Sequence, residues 1–255
     1  MNDIIVEIIK DEVSKYNHSK DIKSTWREPV VGFADAKDEM FVKLKEIISC
    51  SHALPTDFIE DAKSVIVFFL PFEEDIIQSN IKGIESSKKW DIANIETNNL
   101  ILNINIEINK QIKLEGYESS ILPATHNYDK EELISDWSHR HVGYIAGIGT
   151  FGINNMLITK QGCCGRIGSI ITNIKLKTTI RSEEENCLYK KNKSCMKCIK
   201  HCVADAILND NDIIRFEKYR CNKQIYNDNT PQYDIGIVDA CGKCMCNMPC
   251  STRKP

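Results

Sequence analysis

Nine of the twelve cysteines in this chain fall between Cys187 and Cys250. No other stretch limits the possible folds so tightly. They run Cys187, Cys195, Cys198, Cys202, Cys221, Cys241, Cys244, Cys246 and Cys250. Two or three residues between cysteines, as in CMKCIKHC, let one backbone present several thiolates to one iron–sulfur centre. In two-cluster ferredoxin modules the last cysteine of such a run ligates the other cluster, and a distant cysteine completes the first. On that pattern Cys187, Cys195, Cys198 and Cys250 hold one 4Fe–4S cluster, and Cys202, Cys221, Cys241 and Cys244 hold the second. Cys246 is left over.

Other readings of these cysteines compete. A disulfide framework belongs to small secreted chains, and no secretory signal is visible. Structural zinc suits the CxxC pairs Cys195/Cys198 and Cys241/Cys244, but leaves Cys187, Cys202, Cys221 and Cys250 unexplained. Two departures from the ferredoxin run stand out. Val203 follows Cys202 where that run carries proline, and the gap from Cys244 to Cys250 is long. Cys246 is an alternative to Cys244, because it has the three-residue spacing to Cys250.

The chain has 255 residues, room for one large domain and a small one. With 33 basic and 36 acidic residues the net charge is −3, which argues against a broad polyanion-binding surface. No apolar run approaches the roughly 20 residues of a membrane span. The start, MNDIIVEIIKDEVSKY, is acidic and resembles no leader peptide, so a cytoplasmic protein without membrane association is expected.

Apolar spacing predicts helices over residues 4 to 15 and 38 to 49, the second with Phe41, Leu44, Ile47 and Ile48 inward. Trp26 to Asp35 reads as extended, with Pro29 opposing a helix. The continuous apolar run of 62 to 72 reads as a strand covered on both faces. Residues 91 to 115 are the longest helix candidate, although LILNINIEI alternates and also fits a strand. Gly116 is a plausible stop for that helix. A short strand over 118 to 122 follows, then a helix ending near Tyr144 with Ser135 or Asp136 as its cap.

Residues 146 to 176, AGIGTFGINNMLITKQGCCGRIGSIITNIKL, form the second informative stretch. Gly147, Gly149 and Gly152 match G-x-G-x-x-G, but no clear strand precedes them and no ribose-binding acid follows, so a dinucleotide fold is not indicated. Glycines also allow close backbone approach to a bulky ligand. Residues 156 to 159 and 167 to 174 read as strands joined by a turn holding Gly162, Gly165 and Gly168. A plain hairpin with turn glycines is the simpler account.

The glycine segment followed by the cysteine module resembles the epoxyqueuosine reductases and, more distantly, the corrinoid reductive dehalogenases. The match runs over residues 60 to 250 through SVIVFFLPF, WSHRHVGYIAGIGTFG and CGKCMCNMPCSTRKP, and is nearest to short iron–sulfur members. The resemblance implies an α/β (α+β) fold. A nitroreductase-like, cobalamin-binding domain over 1–180 would precede a ferredoxin-like domain with two 4Fe–4S clusters over 181–255. It implies cobalamin contacts at Gly147, Gly149, Thr150, Phe151, Gly152 and Asn154, and at Gly165, Arg166, Gly168 and Ser169. Close approach to a flat macrocycle suits the glycines, and its amides suit Thr150, Asn154 and Ser169.

The family's proton-donating aspartate maps to Leu133, with Asp136 the nearest carboxylate. Asp136, His139 and Tyr144 are the candidate catalytic groups, beside Arg140 and His141. The tRNA-acting members carry a further C-terminal helical domain, whereas this sequence stops at Pro255, so tRNA is not the expected substrate. The implied activity is an oxidoreductase passing single electrons through the clusters to a bound corrinoid. A low-potential donor such as ferredoxin or flavodoxin would supply them, and a small molecule or a corrinoid protein would be the substrate. An electron carrier with no substrate of its own, a reductase of a separate corrinoid protein and a flavin enzyme on the same domain are the alternatives. Lys197, Lys200 and His201 are candidate positive neighbours of the clusters. Cys163 and Cys164 read as buried structural thiols.

Overall fold

The computed structural model describes residues 1–227 and 229–255. Its centre is strand β2, Ser64–Pro71, in which every residue is buried. β2 lies between β1 (Val30–Asp35) and β8 (Gly165–Thr172) in a four-stranded antiparallel sheet, and β3 (Ser119–Ile121) pairs with the far side of β8. Successive strand side chains point to opposite faces. Ile66, Phe68 and Leu70 therefore enter one core, and Val65, Val67 and Phe69 the other. An all-apolar strand usually marks a parallel sheet. Here the sheet is antiparallel and the run is explained by cover on both sides.

Two helices cover the first face. α1 (Asn2–Asn17) buries Ile5, Ile9 and Val13, at four-residue spacing, against α5 (Lys88–Leu114). In α5 the ambiguity of LILNINIEI is resolved toward helix. Leu100, Ile101, Ile104, Ile108 and Ile112 form its buried face, while Leu102 is exposed. The Ser87 side chain accepts from Trp90 N at the start of α5, and Gly116 adopts φ +79° after its end. The second face is covered by α2 (Glu39–Ile47) and α6 (His139–Ile145). Two short helices, α3 (Pro55–Phe58) and α4 (Glu74–Ser79), fill the connections.

Three expectations need correction. Ile47 is exposed, because only Phe41 and Leu44 of α2 face the core. α6 begins later than expected. Ser135 belongs to a two-strand ribbon of β4 (Tyr128–Asp129) and β5 (Ile134–Ser135), and Ser138 takes the cap position. The hairpin after the glycine segment pairs β6 (Gly149–Phe151) with β7 (Leu157–Thr159), not β7 with β8. Only Gly162 lies in the turn after β7, at φ +84°, while Gly165 and Gly168 are strand residues.

Beyond β8 come α7 (Leu188–Asn192), α8 (Lys197–His201), the hairpin β9 (Ile207–Asp210) with β10 (Ile213–Phe216), and α9 (Lys218–Ile225). This region shares the first core, to which it adds Cys187, Tyr189, Cys198, Ile207, Met245, Cys246 and Met248. Arg27 pins its end. That guanidinium donates to the carbonyls of Phe72, Gln161 and Thr252 and to the Gln161 side chain, at 2.8–2.9 Å. Among the described residues no helix is long and apolar enough to cross a membrane.

Candidate redox centre and its crevice

The turns and short helices of the last quarter bring eight cysteines into two sets. Cys187, Cys195, Cys198 and Cys250 line one pocket, with Gly152, Ile153 and Asn154 on its wall. Burial, followed by the charges of Cys250, Cys187 and Cys195, pushes the Cys198 thiol up to about 12. The second set comprises Cys202, Cys221, Cys241 and Cys244. Burial and the charges of Cys241 and Cys202 raise Cys221 to about 11, while Cys244 is driven well up by burial and then by Cys202, Cys221 and Cys241. Free thiols at Cys198, Cys221 and Cys244 resist ionisation, so thiolates there need a cationic centre. Among the described residues no three His, Cys, Asp or Glu side chains converge tightly enough to hold a single metal ion.

The three remaining cysteines of this core lie together. Cys163 meets Cys250, and its N–H donates to the Cys250 carbonyl at 2.9 Å. The Cys164 thiol donates to the Met245 carbonyl at 3.2 Å and neighbours Cys246. Cys246 is fully buried beside Cys164 and does not join either set.

The residues expected to touch a corrin do not form one free surface. A Cβ on Gly165 would sit 2.3 Å from the Leu70 carbonyl oxygen, and one on Gly168 would sit 2.5 Å from the Phe68 ring. Both glycines are required by the sheet itself. Thr150 Oγ1 accepts from Asn186 N at 2.8 Å, and Asn154 Nδ2 donates to the Cys244 carbonyl at 3.0 Å. Ser169 is buried and bonded to Trp137 and His139. Arg166 is paired with Asp239 at 2.8 Å. Gly152 and Asn154 face the first cysteine pocket, whereas Gly147, Gly149 and Thr150 line a separate groove with Lys160, Arg181 and Lys254. Phe151 packs against His141 and Tyr144.

The three candidate acids sit in different surroundings. Asp136 accepts from His126 Nδ1 at 2.6 Å and Asn127 Nδ2 at 2.8 Å. Tyr144 lines the groove with Gly147. His139 is a buried strut. The Trp137 indole donates to Ser169 Oγ (3.0 Å), the Ser169 hydroxyl donates to His139 Nδ1 (2.9 Å), and His139 Nε2–H donates to the Pro123 carbonyl (2.9 Å). Burial lowers its pKa to about 4, and the charges of Arg166 and His126 act the same way. His139 is therefore neutral at pH 7 with both nitrogens engaged, which corrects the expectation of an acid near neutrality.

His126 escaped the sequence reading because it lies in no motif. Its role comes only from the ribbon, which folds it back onto Asp136. The same ribbon reaches α9, where Tyr128 Oη meets Asn222 Oδ1 at 3.4 Å and Lys218 Nζ donates to the Glu132 carbonyl at 2.5 Å. Arg166, paired with Asp239, carries the charge that acts on both His139 and Tyr226. Arg140 lies beside the second cysteine set. Its guanidinium lies in the field of Cys221 and Cys244 and donates to the Asn155 carbonyl at 2.8 Å.

No protein-family model matches the chain, and no curated protein matches it in sequence. Solved structures do match. The epoxyqueuosine reductase of Bacillus subtilis, seen with its aspartate-bearing catalytic loop swung out of the active site, superposes with a TM-score of 0.56. It is 17% identical over 98% of this chain and 67% of its own length. The Streptococcus thermophilus enzyme gives 0.57 at 16% identity, over 97% and 66%. A catabolic reductive dehalogenase in complex with 3-bromo-4-hydroxybenzoic acid gives 0.56 at 15% identity, over 98% and 37%. This chain carries the epoxyqueuosine reductase fold. It spans about two thirds of the epoxyqueuosine reductases it matches and 37% of the dehalogenase. The epoxyqueuosine reductase fold is mixed α/β, as expected, and an antiparallel sheet replaces the parallel one a dinucleotide fold would need.

Proposed function

We propose that the chain is an iron–sulfur oxidoreductase that delivers single electrons through two clusters to an acceptor. The observation that carries this reading is the separation of eight cysteines into two sets of four. Cys187, Cys195, Cys198 and Cys250 would hold one 4Fe–4S cluster, and Cys202, Cys221, Cys241 and Cys244 the other. Bound there, such clusters supply one-electron transfer at potentials set by charge, hydrogen bonding and solvent access. Arg140 places positive charge beside Cys221 and Cys244 of the second set. Asp136, held by His126 and Asn127, is the group best placed to exchange a proton with a reduced acceptor.

Residues 1–180 would act as the acceptor-binding body and 181–255 as the electron-delivering module. The shared core joins the two closely. A cytoplasmic setting suits thiols kept available for iron. A low-potential ferredoxin or flavodoxin is the proposed donor, and a small molecule or a corrinoid protein the proposed acceptor. A resident corrinoid is what the resemblance implies; of the residues named for it, Gly147, Gly149 and Thr150 line one groove and Gly152 and Asn154 face the first cysteine pocket, while Gly165, Gly168 and Ser169 are packed within the fold.

The test is anaerobic loading with iron and sulfide, followed by metal analysis and cluster-resolved magnetic spectra. Wild-type protein should take up about eight irons, the total for two four-iron clusters. Cys202→Ala should damage one cluster and Cys250→Ala the other. Loss of the same cluster in both variants would refute the partition. A visible spectrum after adding cobalamin settles the corrinoid question independently.

A further inference from the structure

Lys243 lies between two members of the second cysteine set in sequence, yet it is only 3% exposed. Its ammonium donates to the carbonyls of Lys82 (2.7 Å) and Asn80 (3.1 Å). Both acceptors are neutral. Among the described residues no carboxylate forms an ion pair with it. A buried ammonium held only by neutral groups is costly, and such charges are retained where an anionic partner offsets them.

The chain places thiols on both sides of it: Lys243 opens the short turn Lys243–Met245 between Cys241 and Cys244, and Asn80, whose carbonyl takes its ammonium, also reaches Cys246 Sγ with its Nδ2 at 3.7 Å. Asn80, itself fully buried, fixes the same turn. Its Nδ2 donates to the Cys241 carbonyl at 2.9 Å, and its Oδ1 accepts from Ser87 N at the start of α5. Gly242, at φ +71°, packs so closely on Trp90 that a Cβ there would sit 2.1 Å from the indole. The ammonium is therefore held inside the protein, in the turn that carries Cys241 and Cys244. Lys197 and Lys200, the other candidate positive neighbours, are exposed, where water and salt screen them.

We propose that Lys243 is the built-in counter-cation of the second cluster and raises its reduction potential relative to the first. The proposal rests on the reading that Cys202, Cys221, Cys241 and Cys244 hold a cluster. Reduction adds one electron, taken from the external low-potential donor, and so one negative charge to a thiolate-ligated centre. No bond is made or broken. A fixed cation at short range in a dry interior favours the more negative state. The consequence is a downhill electron step from the first cluster to the second.

The experiment uses the full chain loaded anaerobically with iron and sulfide, titrated with dithionite and followed by electron paramagnetic resonance. Cys202→Ala identifies which signal belongs to the second cluster. Lys243→Gln keeps an N–H donor for the two carbonyls and removes the charge. It should load both clusters and lower only the second potential. The expected size is an about tenfold loss in the reduction equilibrium constant, or about 59 mV for one electron. Lys243→Arg should stay near wild type. An unmoved second potential in Lys243→Gln, an equal shift of both clusters, or the same fall in Lys243→Arg overturns the proposal. If Lys243→Gln does not load, the wild-type titration carries the test: the second cluster should be reduced at the higher potential, and an equal or lower potential than the first overturns the proposal. Wild-type protein that takes up no iron and sulfide would sink the cluster reading itself, which is a different result.

Discussion

Acid should weaken this fold through His139, and the sign follows from its surroundings. His139 is buried with its Nδ1 accepting from Ser169 and its Nε2 donating to Pro123. Protonation would turn Nδ1 into a donor and face it with a hydroxyl already receiving the Trp137 indole. Its folded pKa, about 4, lies below the ordinary histidine value of 6.5. Between those values the unfolded chain binds more protons, so stability rises with pH and is lost as pH falls through the window. A shift of this size corresponds to roughly 3 kcal/mol in full, of which about 2 kcal/mol is lost by pH 5. Many carboxylates titrate near the lower end, so the informative quantity is a difference. His139→Gln can still bond to one of the two partners but cannot titrate. Urea unfolding of the iron-free chain, followed by circular dichroism at pH 7, 6 and 5, compares the two proteins. The wild type should lose about 2 kcal/mol more than the variant between pH 7 and pH 5. His141 is also lowered to about 4, mainly by burial, and remains in both proteins, so it cancels. Equal pH slopes in wild type and variant would refute the argument.

Two further outcomes separate competing accounts of single residues. Cys246→Ser should keep about eight irons per chain while Cys244→Ser loses part of them, because Cys246 is buried against Cys164 and apart from the second set; metal analysis decides, and the reverse pattern exchanges their roles. Gly165→Ala should destabilise the iron-free chain by about 1–3 kcal/mol, since its Cβ would meet the Leu70 carbonyl oxygen at 2.3 Å; unchanged urea stability would return this glycine to a ligand-binding role.

Much of the frame was legible in the sequence because each signal had one physical cause. The all-apolar SVIVFFLP has to be covered on both faces, and β2 is. LILNINIEI carried two periods at once. The decision went to helix because α1 and the sheet offer a groove for Leu100, Ile104 and Ile108 at helical spacing, which local sequence does not contain. Residues joined only by tertiary structure left no trace. His126 faces Asp136 through a ribbon of two-residue strands, and Lys243 is buried because Asn80 and Lys82, far back in the chain, turn their carbonyls toward it.

The glycines and the cysteines differ as signals for a similar reason. A glycine reports only that something comes close. Gly165 and Gly168 were read as room for a macrocycle, and the close neighbours are Leu70 and Phe68 of the adjacent strand. Distance in space to a ligand and distance to the chain's own backbone select the same residue. A cysteine reports chemistry as well as space. Eight thiols gathered into two sets of four, with burial opposing ionisation at Cys198, Cys221 and Cys244, gain nothing as free side chains. A soft cationic centre accounts both for their number and for the cost of burying them together. The body around them follows the same logic. Arg27 ties Thr252 to the sheet's edge, and Asn80 ties Cys241 to the start of α5, so the ends of the long loops that carry Cys241 and Cys250 are fixed from outside the module. Spacing predicts which cysteines share a centre, and these contacts to the sheet and to α5 are what hold the distant members in place.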